Sequence, residues 1–403
     1  MKKFLIILLS LVFIFAFGCS KSSDMATGPD SDSAPLYTSQ SSNVVRPIEN
    51  QYIVVFKQDI PAKGKRAVQK VAEKLAKKHG IDFPAAAKHV YGNTIKGFAG
   101  TLNKGQLKKL RKDSKVKYIE QDQIISIYEK PPWASDPKDD GDDSDGDSSQ
   151  TLPWGIERVG GPVDCTGQVA WVIDTGVDYD HPDLNVDTSR AETFITTGRD
   201  KKDANDNNGH GTHVAGTIAA IDNSSGVVGV AANATIVPVK VLDSSGSGSI
   251  SSVVGGIDYV AANASTGDVA NMSLGGGTST SIDDATLNAA EQGIKFAVAA
   301  GNSSTDANNS SPARVNHQNI YTISAIDSTD TFASFSNYGN PPVDYAEPGV
   351  NILSLWNDGS TNTLDGTSMA SPHMAGLLLA GNISTDGYAQ NDPDGDPDPI
   401  GVH

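Results

Sequence analysis

The stretch Gln168-Val-Ala-Trp-Val-Ile-Asp174 is a run of apolar residues that ends in a carboxylate. Further apolar runs follow it along the chain, and segments with helical spacing separate them. Short apolar runs that alternate with helices predict an α/β domain with a mostly parallel, doubly wound sheet, covered on both faces. The later predicted strands are 236–242, 269–274, 296–300 and 320–326, and the predicted helices are 211–221, 250–263, 281–293 and 368–380.

Three polar segments fall at the ends of these predicted elements. Asp174 ends the first strand, and His210 and His213 lie at the start of the first helix. Ser368 begins the last helix. The active site of a parallel sheet lies at the carboxyl ends of its strands. A serine becomes a nucleophile when an imidazole removes its proton, and a carboxylate must orient that imidazole. The residues therefore predict nucleophilic catalysis, but their chemistry does not separate His210 from His213.

The segments VIDTGVDYDHPDL (172–184), NGHGTHVAGT (208–217) and DGTSMASPHMAG (365–376) resemble the motifs of subtilisin-like serine proteases of the bacterial subtilisin type, in the same chain order. The resemblance covers most of residues 150–380. It implies that Asp174 orients His210, that His210 is the base, and that Ser368, not Ser371, is the nucleophile. It also implies that Asn302, at the end of Val298-Ala-Ala-Gly-Asn302, donates to the oxyanion. The expected activity is that of a serine endopeptidase.

The resemblance extends to a substrate groove made of two strand segments. A peptide held between them would lie extended and present its carbonyl to Ser368. Ser303 follows Asn302 and carries no charge, so we expect a broad preference for apolar or aromatic residues. Ordinary strand ends and a flexible glycine loop are the alternative interpretation. The predicted groove residues are Gly246, Ser247 and Gly248 on one edge and Ser273, Leu274 and Gly275 on the other.

A loop resembling the calcium loop of bacterial subtilisins implies a structural Ca²⁺ ion. Oxygen ligands grouped around one carboxylate suit calcium and not zinc. The alternative is a Gly/Asn turn without a metal. The acidic tail Asn391 to Pro399 is predicted to be a solvated turn and not a second calcium site. The implied ligands of the first site are Gln150, Asp183, Ile221, Asn223, Ser225 and Val227.

Residues 1–18 have the features of an export signal. Lys2 and Lys3 precede an apolar run that ends at Phe17, which is too short to span a membrane. The segment resembles a bacterial lipoprotein signal, which implies that Cys19 is acylated and anchors the precursor to the membrane. Ala16-Phe17-Gly18 also fits an ordinary cleavage site. Both interpretations predict a secreted or cell-envelope protein.

Residues 50–128 show the pattern β-α-β-β-α-β of a small ferredoxin-like α+β domain. A polar tether (19–49) precedes it, and an acidic linker (129–149) leads to the domain at 150–403. Residues 51–128 resemble, more loosely, the inhibitory propeptide of the same family. The resemblance implies a self-processing zymogen whose propeptide inhibits the protease domain. The last predicted strand would lead into the cleft, with the first cut between Tyr128 and Glu129.

The charge and the cysteine content of the chain limit which partners the protein can have. The net charge of −17 argues against nucleic-acid binding. Residues 50–129 hold 17 Lys and Arg against 7 Asp and Glu, whereas 150–403 hold 8 against 30, so the two parts should attract each other. Two cysteines exclude a disulfide scaffold, and Cys165 is predicted to be an inert buried thiol. We expect a monomer whose partners are polypeptide substrates and its own propeptide. A non-enzymatic surface lipoprotein that binds peptides or calcium is the alternative from another class.

Overall fold

The structure is a computed structural model that describes residues 46–127 and 149–403. The predictions on the export signal, on acylation of Cys19 and on cleavage between Tyr128 and Glu129 lie outside the described residues. Within the described ranges, no helix has the length and apolar character needed to cross a membrane.

The N-terminal domain is an antiparallel sheet with its two longer helices packed on one face. The predicted β-α-β-β-α-β order is confirmed, with one additional short helix. Its elements are β1 (Pro47–Phe56), α1 (Lys65–His79), α2 (Phe83–Ala86), β2 (Ala87–Tyr91), β3 (Gly97–Thr101), α3 (Lys104–Leu110) and β4 (Val116–Ile127). β1 is central and pairs with both β3 and β4, and β2 pairs with the outer side of β3.

Sequence spacing explains how α1 forms and where it ends. Val68, Ala72 and Leu75 recur at helical spacing and are buried against the sheet. Gly80 caps the helix in a left-handed conformation, with its N–H on the carbonyl groups of the last turn. One face of the sheet is thereby covered inside the domain itself.

The second domain contains a ten-stranded sheet. The predicted mostly parallel, doubly wound architecture is confirmed. Its first elements are α4 (Trp154–Arg158), β5 (Val169–Asp174), β6 (Asn185–Val186), β7 (Glu192–Thr193), α5 (His210–Ala219), β8 (Thr235–Lys240), β9 (Ser247–Ser249), α6 (Ile250–Asn263), β10 (Val269–Met272), β11 (Leu274–Gly275) and α7 (Thr280–Ala290). The remaining elements are β12 (Lys295–Ala299), a 3₁₀ turn (Ala307–Asn309), β13 (Ile320–Ile326), β14 (Val343–Pro348), β15 (Ile352–Leu355), β16 (Thr361–Leu364), α8 (Thr367–Ala380), β17 (Ser384–Tyr388) and β18 (Pro399–Val402).

The strand order of this sheet is β17-β18-β14-β13-β12-β10-β5-β8-β6, and β7 also pairs with β8. All of its pairs are parallel except that of β17 with β18. Trp171 and Ile173 of β5 point into a core with α6 and α7. Ala170 and Val172 alternate with these residues along the strand and point to the opposite face, into a second core with α5 and α8. The continuous apolar run of β5 therefore serves both faces of the sheet.

Candidate active site

Asp174 and His210 form a buried pair at the carboxyl end of β5. His210 is the first residue of α5, and its Nδ1 lies 2.8 Å from Asp174 Oδ1. The carboxylate can only accept, so Nδ1 carries the proton and Nε2 is left to act as a base. Burial acts to lower the pKa of His210, but the negative charge of Asp174, with a smaller contribution from Asp206, raises that pKa above its ordinary value. The pair is suited to accept a proton on Nε2.

His213 occupies a different environment from His210. Its Nε2 lies 3.0 Å from the carbonyl oxygen of Ile352 and 3.1 Å from that of Asn362. Burial lowers the pKa of His213 to about 3, so the ring is neutral and donates to these carbonyl groups. This geometry separates the two histidines, which residue chemistry alone left open.

Ser368 lies in the first turn of α8, and Ser371 lies one turn further along. The Ser368 hydroxyl donates to the carbonyl oxygen of Ser273 over 3.2 Å, whereas the Ser371 hydroxyl contacts the Ser273 hydroxyl at 2.9 Å. The backbone before the helix needs glycine: Gly366 has a φ of +149°, and a Cβ there would lie 3.0 Å from Asn302 Nδ2. His210 Nε2, the atom that is expected to accept the Ser368 proton, has no hydrogen-bond partner among the described residues.

Asn302 follows β12 and lies beside the start of α8. Its Oδ1 accepts from the N–H of Thr367 at 2.9 Å and from the hydroxyl of Thr367 at 2.8 Å. These two donors determine the orientation of the amide, because only an oxygen can accept both. The Nδ2 group is therefore the part of Asn302 that can donate to an oxyanion.

The end of β4 lies between two short strands of the second domain. Ile125 and Ser126 pair antiparallel with β9, opposite Gly248 and Ser247. On the other side, Ser126 and Ile127 pair antiparallel with β11, opposite Gly275 and Leu274. The structure thus brings the predicted groove edges together around an extended chain.

Gly246 and Ser273 lie at the end of this groove nearest to Ser368. Gly246 accepts from the N–H of Ile127 at 3.0 Å. Its φ is +72°, which favours glycine, and a Cβ would approach Ile127 Cδ1 to 2.8 Å, so the Ile127 side chain would have to move. Ser273 does not pair with β4; its hydroxyl donates to the carbonyl oxygen of Ser368 at 2.7 Å.

Asp258 of α6 is a contact residue that the sequence analysis did not single out. Its buried carboxylate accepts the backbone N–H groups of Gly92, Asn93 and Thr94, at 2.7 to 3.1 Å. It also accepts from the side chains of Asn93 and Thr94, at 3.0 Å each. No local signal in the sequence indicated that a carboxylate from the other domain would bind these residues.

Two carboxylates of β4 cap helices of the second domain. The N–H of Ser251 in α6 donates to Asp122 at 3.0 Å, and the N–H of Ser281 in α7 donates to Glu120 at 2.8 Å. Negative charge at a helix N-terminus is stabilised by the unpaired N–H groups there. These acidic residues stand out in a basic domain, which is the signal that could have identified them.

The predicted calcium ligands converge on one loop, which begins where α5 ends. Gln150 Nε2 lies 2.6 Å from the carbonyl oxygen of Ile221 and 3.0 Å from that of Val227. Asn223 Nδ2 lies 2.6 Å from Asp183 Oδ1, and burial raises the pKa of the Asp183 carboxyl. Ser225 is exposed, and its N–H donates to Asn223 Oδ1 at 2.7 Å.

This donor set fits a hard cation. Each side-chain amide can present its oxygen instead of its nitrogen after a half turn, so the site offers one carboxylate, two amides and two carbonyl groups. In residues 46–127 and 149–403, no cluster of three or more His, Cys, Asp or Glu side chains is arranged to hold a metal. The loop would therefore bind an ion mainly through neutral oxygen atoms.

The fold and this site define a serine hydrolase of the α/β class whose own N-terminal domain occupies its groove. Residues 166–380 match the Subtilase family, and residues 51–128 match the family described as Peptidase inhibitor I9. The chain belongs to the subtilase family and is a subtilisin-like serine protease with an I9 propeptide domain, the arrangement of a zymogen. The family resemblance inferred from the motifs is confirmed.

Named relatives agree with this assignment. Alkaline serine exoprotease A of Vibrio alginolyticus is 39% identical over 381 residues, which are 91% of this chain and 66% of that protein. Proteinase R of Parengyodontium album is 37% identical, over 86% of this chain and 82% of that protein. The crystal structure of a cold adapted subtilisin-like serine proteinase is 40% identical, with a TM-score of 0.55, over 63% of this chain and 98% of that one.

Proposed function

We propose that the protein is a secreted serine endopeptidase that is made as a zymogen and processes itself. The observation that carries this proposal is the pairing of β4, which runs antiparallel between β9 and β11 and ends opposite Leu274, next to Ser273, which contacts Ser368. An extended strand in that position has the conformation of a bound peptide substrate. The propeptide domain would therefore be both the first substrate of the enzyme and its intramolecular inhibitor.

In the proposed mechanism a substrate takes the place of β4. Backbone pairing with β9 and β11 holds its scissile carbonyl near Ser368. His210 Nε2 removes the hydroxyl proton, and Asp174 stabilises the imidazolium through Nδ1–H. The Nδ2 group of Asn302 donates to the oxyanion of the tetrahedral intermediate. His210 then returns the proton to the leaving amine.

The groove supports a broad preference for apolar or aromatic residues. Ile125 of β4 is 3% exposed and lies in the core shared with Leu274 of β11. Ser303, next to Asn302, brings no charge to the site. The cut between Tyr128 and Glu129 would place an aromatic residue directly before the scissile bond.

Export and calcium complete the proposal. Residues 1–18 would direct the chain out of the cell, and acylation of Cys19 would hold the precursor at the membrane until the propeptide is cut away. Gln150, Asp183 and the 221–227 loop would hold a structural Ca²⁺ ion, which stabilises the loop against autolysis. The donor set described above supports calcium at this loop.

The test compares Ser368→Ala with Ser371→Ala, since both serines are buried in the same helix and contact Ser273. We expect Ser368→Ala to leave the precursor uncut and to lower caseinolytic activity by on the order of 10⁴-fold or more. Ser371→Ala should process itself, and N-terminal sequencing of the first product should begin at Glu129. Normal processing of Ser368→Ala would contradict self-processing and show that another protease governs maturation.

A further inference from the structure

The loop before α5 contains a buried carboxylate with an unusual number of donors. Asp206 is 4% exposed. Its Oδ1 accepts the N–H groups of Asn208 and Gly209 at 2.9 and 3.0 Å. Its Oδ2 accepts the N–H and the hydroxyl of Thr212 at 3.0 and 2.7 Å. These three residues lie on both sides of His210, so one carboxylate is hydrogen-bonded to the whole N-terminal turn of α5.

The same carboxylate reaches the end of β5 through Thr175. The Thr175 hydroxyl donates to Asp206 Oδ1 at 3.0 Å and accepts the N–H of Gly211 at 2.9 Å. The Thr175 N–H donates to Asp174 Oδ1 at 2.7 Å. A continuous set of hydrogen bonds therefore joins the residue after Asp174 to the residues on both sides of His210.

Burial raises the pKa of the Asp206 carboxyl, whereas the hydrogen bonds that its two oxygens accept favour the ionised form. All five partner groups donate to its two oxygens, and a protonated carboxyl would need an acceptor for its own hydrogen. Several charge-assisted hydrogen bonds offset the burial of that charge. The other charged or titratable groups around His210 are Asp174, His213 and Lys240. The Nζ of Lys240 donates to the carbonyl oxygen of Thr175 and lies 3.2 Å from Asp200 Oδ1.

We propose that Asp206 is a positioning residue for His210: its carboxylate clamps the first turn of α5 to the end of β5 and so sets the geometry of the Asp174–His210 pair. The inference rests on the proposed roles of Asp174 and His210. Asp206 does not contact the reacting atoms; it acts through Thr175, Gly209 and Thr212. Its negative charge also favours the imidazolium that forms during proton transfer.

The primary test is Asp206→Asn, assayed per active site after titration with a serine-directed inhibitor. The new amide would direct its NH₂ group at the N–H of Thr212 and break the clamp on that side. We expect kcat to fall by on the order of 10- to 100-fold with KM changed less than about twofold. The acid limb of kcat/KM should move to lower pH, because a charge that favours the imidazolium has been removed. A folded variant with unchanged kcat, or with an unmoved acid limb, would overturn the inference.

Asp268→Asn is the matched control. Asp268 is also buried and accepts the Trp171 indole N–H at 2.9 Å and the Ser265 N–H at 3.0 Å, but it precedes β10 at the opposite end of the strands. It should lower the melting temperature without changing kcat per active site or the acid limb. An equal effect of both variants on kcat would reduce the role of Asp206 to general stability and overturn the inference.

Thr175→Val tests the clamp if Asp206→Asn does not fold, because valine keeps the shape and removes only the hydroxyl. We expect a lower kcat at similar KM, and restoration by Thr175→Ser. Wild-type kcat in Thr175→Val would overturn the inference that Thr175 links Asp206 to β5.

His210→Ala separates the proposed function from the inference about Asp206. If it stays active, the proposed mechanism is wrong; if it is inactive while Asp206→Asn behaves as wild type, only the inference about Asp206 is wrong.

Discussion

The propeptide domain and the protease domain cover their sheets in different ways. The protease sheet is covered by its own helices on both faces, with α5 and α8 on one and α6 and α7 on the other. The propeptide sheet buries Val54, Phe56 and Phe98 under its own helices. Its opposite face, including Ile53, Val55 and Tyr91, is buried in the core that contains α6 and α7 of the protease domain.

This difference indicates which domain depends on the other. Without the protease domain, one apolar face of the propeptide sheet would be exposed, and a domain of about 80 residues has little stability to spare. We therefore expect folding of the propeptide to be coupled to binding. Variants that weaken the interface should mainly lower the affinity for the propeptide, and variants in the 221–227 loop should affect the stability of the protease domain alone.

The largest expected effect on the interface comes from Asp258→Ala. Removing the carboxylate takes away the acceptor of the buried Thr94 N–H and of the half-buried Gly92 and Asn93 N–H groups, and hydrogen bonds to a charged group contribute about 1.5–3 kcal/mol each. We expect inhibition of the mature enzyme by added propeptide to weaken by on the order of 10²-fold or more. The measurement is the inhibition constant in a peptide hydrolysis assay.

Asp284→Ala is the matched control for Asp258→Ala. Asp284 contacts Lys117 Nζ at 2.8 Å and the Tyr118 hydroxyl at 3.0 Å, but both charged side chains of the ion pair are partly exposed. An exposed pair contributes about 0–1 kcal/mol, so we expect a change of a few-fold or less. Equal losses for the two variants would show that burial of the carboxylate does not govern the interface.

Chelation should affect the protease domain and leave the interface unchanged. Loss of an ion from the loop around Asp183 and Asn223 should shorten the half-life of the mature enzyme at elevated temperature by on the order of tenfold. Asp183→Asn should remove most of this sensitivity, whereas Asp327→Asn, in an exposed turn, should retain it. Identical half-lives with and without chelator would argue against bound calcium.

Propeptide affinity should decrease in acid because of His89. Its ring lies 6.2 Å from that of Phe194 across the interface, and burial, together with Lys65 and Lys88, lowers its pKa to about 4. The bound state therefore holds fewer protons than the released state, so binding is fully favoured above pH 6.5 and weakens as the pH falls towards 4. We expect about 20-fold weaker inhibition at pH 5 than at pH 7. His89→Leu should flatten this dependence, and an unchanged slope in that variant would exclude His89 as its cause.

The smallest expected effect is that of salt on association. The basic propeptide region and the acidic protease domain attract each other at long range, although Lys117–Asp284 is the sole ion pair found between them in the described part of the chain. The association rate should fall a few-fold between about 0.05 and 0.5 M salt, with little change in the dissociation rate. Stopped-flow inhibition kinetics measure both rates. An association rate that does not change with salt would show that the two regions do not attract each other at long range.

Several features of the molecule follow from local sequence. The apolar runs of β5, β10, β12 and β13 and the spacing of α5 to α8 predicted the parallel sheet to within a few residues, because periodicity reflects which faces are buried. The family resemblance carried the choice of Asp174, His210, Ser368 and Asn302. The prediction of the sheet succeeds because each of its elements depends on a short segment of the chain, whereas the roles of those four residues stay predictions.

Other features depend on contacts between distant segments. β18 pairs with β14 through Ile400. The acidic, proline-rich segment Asn391 to Pro399 predicted only a solvated turn and gave no sign of a strand after it. Asp258 and Asp206 are ordinary acidic residues in the sequence, and only the approach of a turn or of a neighbouring strand gives each its set of donors. The sequence by itself determined the helices and strands and the candidates for the reactive groups. Tertiary structure decided which histidine faces Asp174, which carboxylates are buried and which strand fills the groove, because those outcomes depend on backbone atoms that lie far apart along the chain.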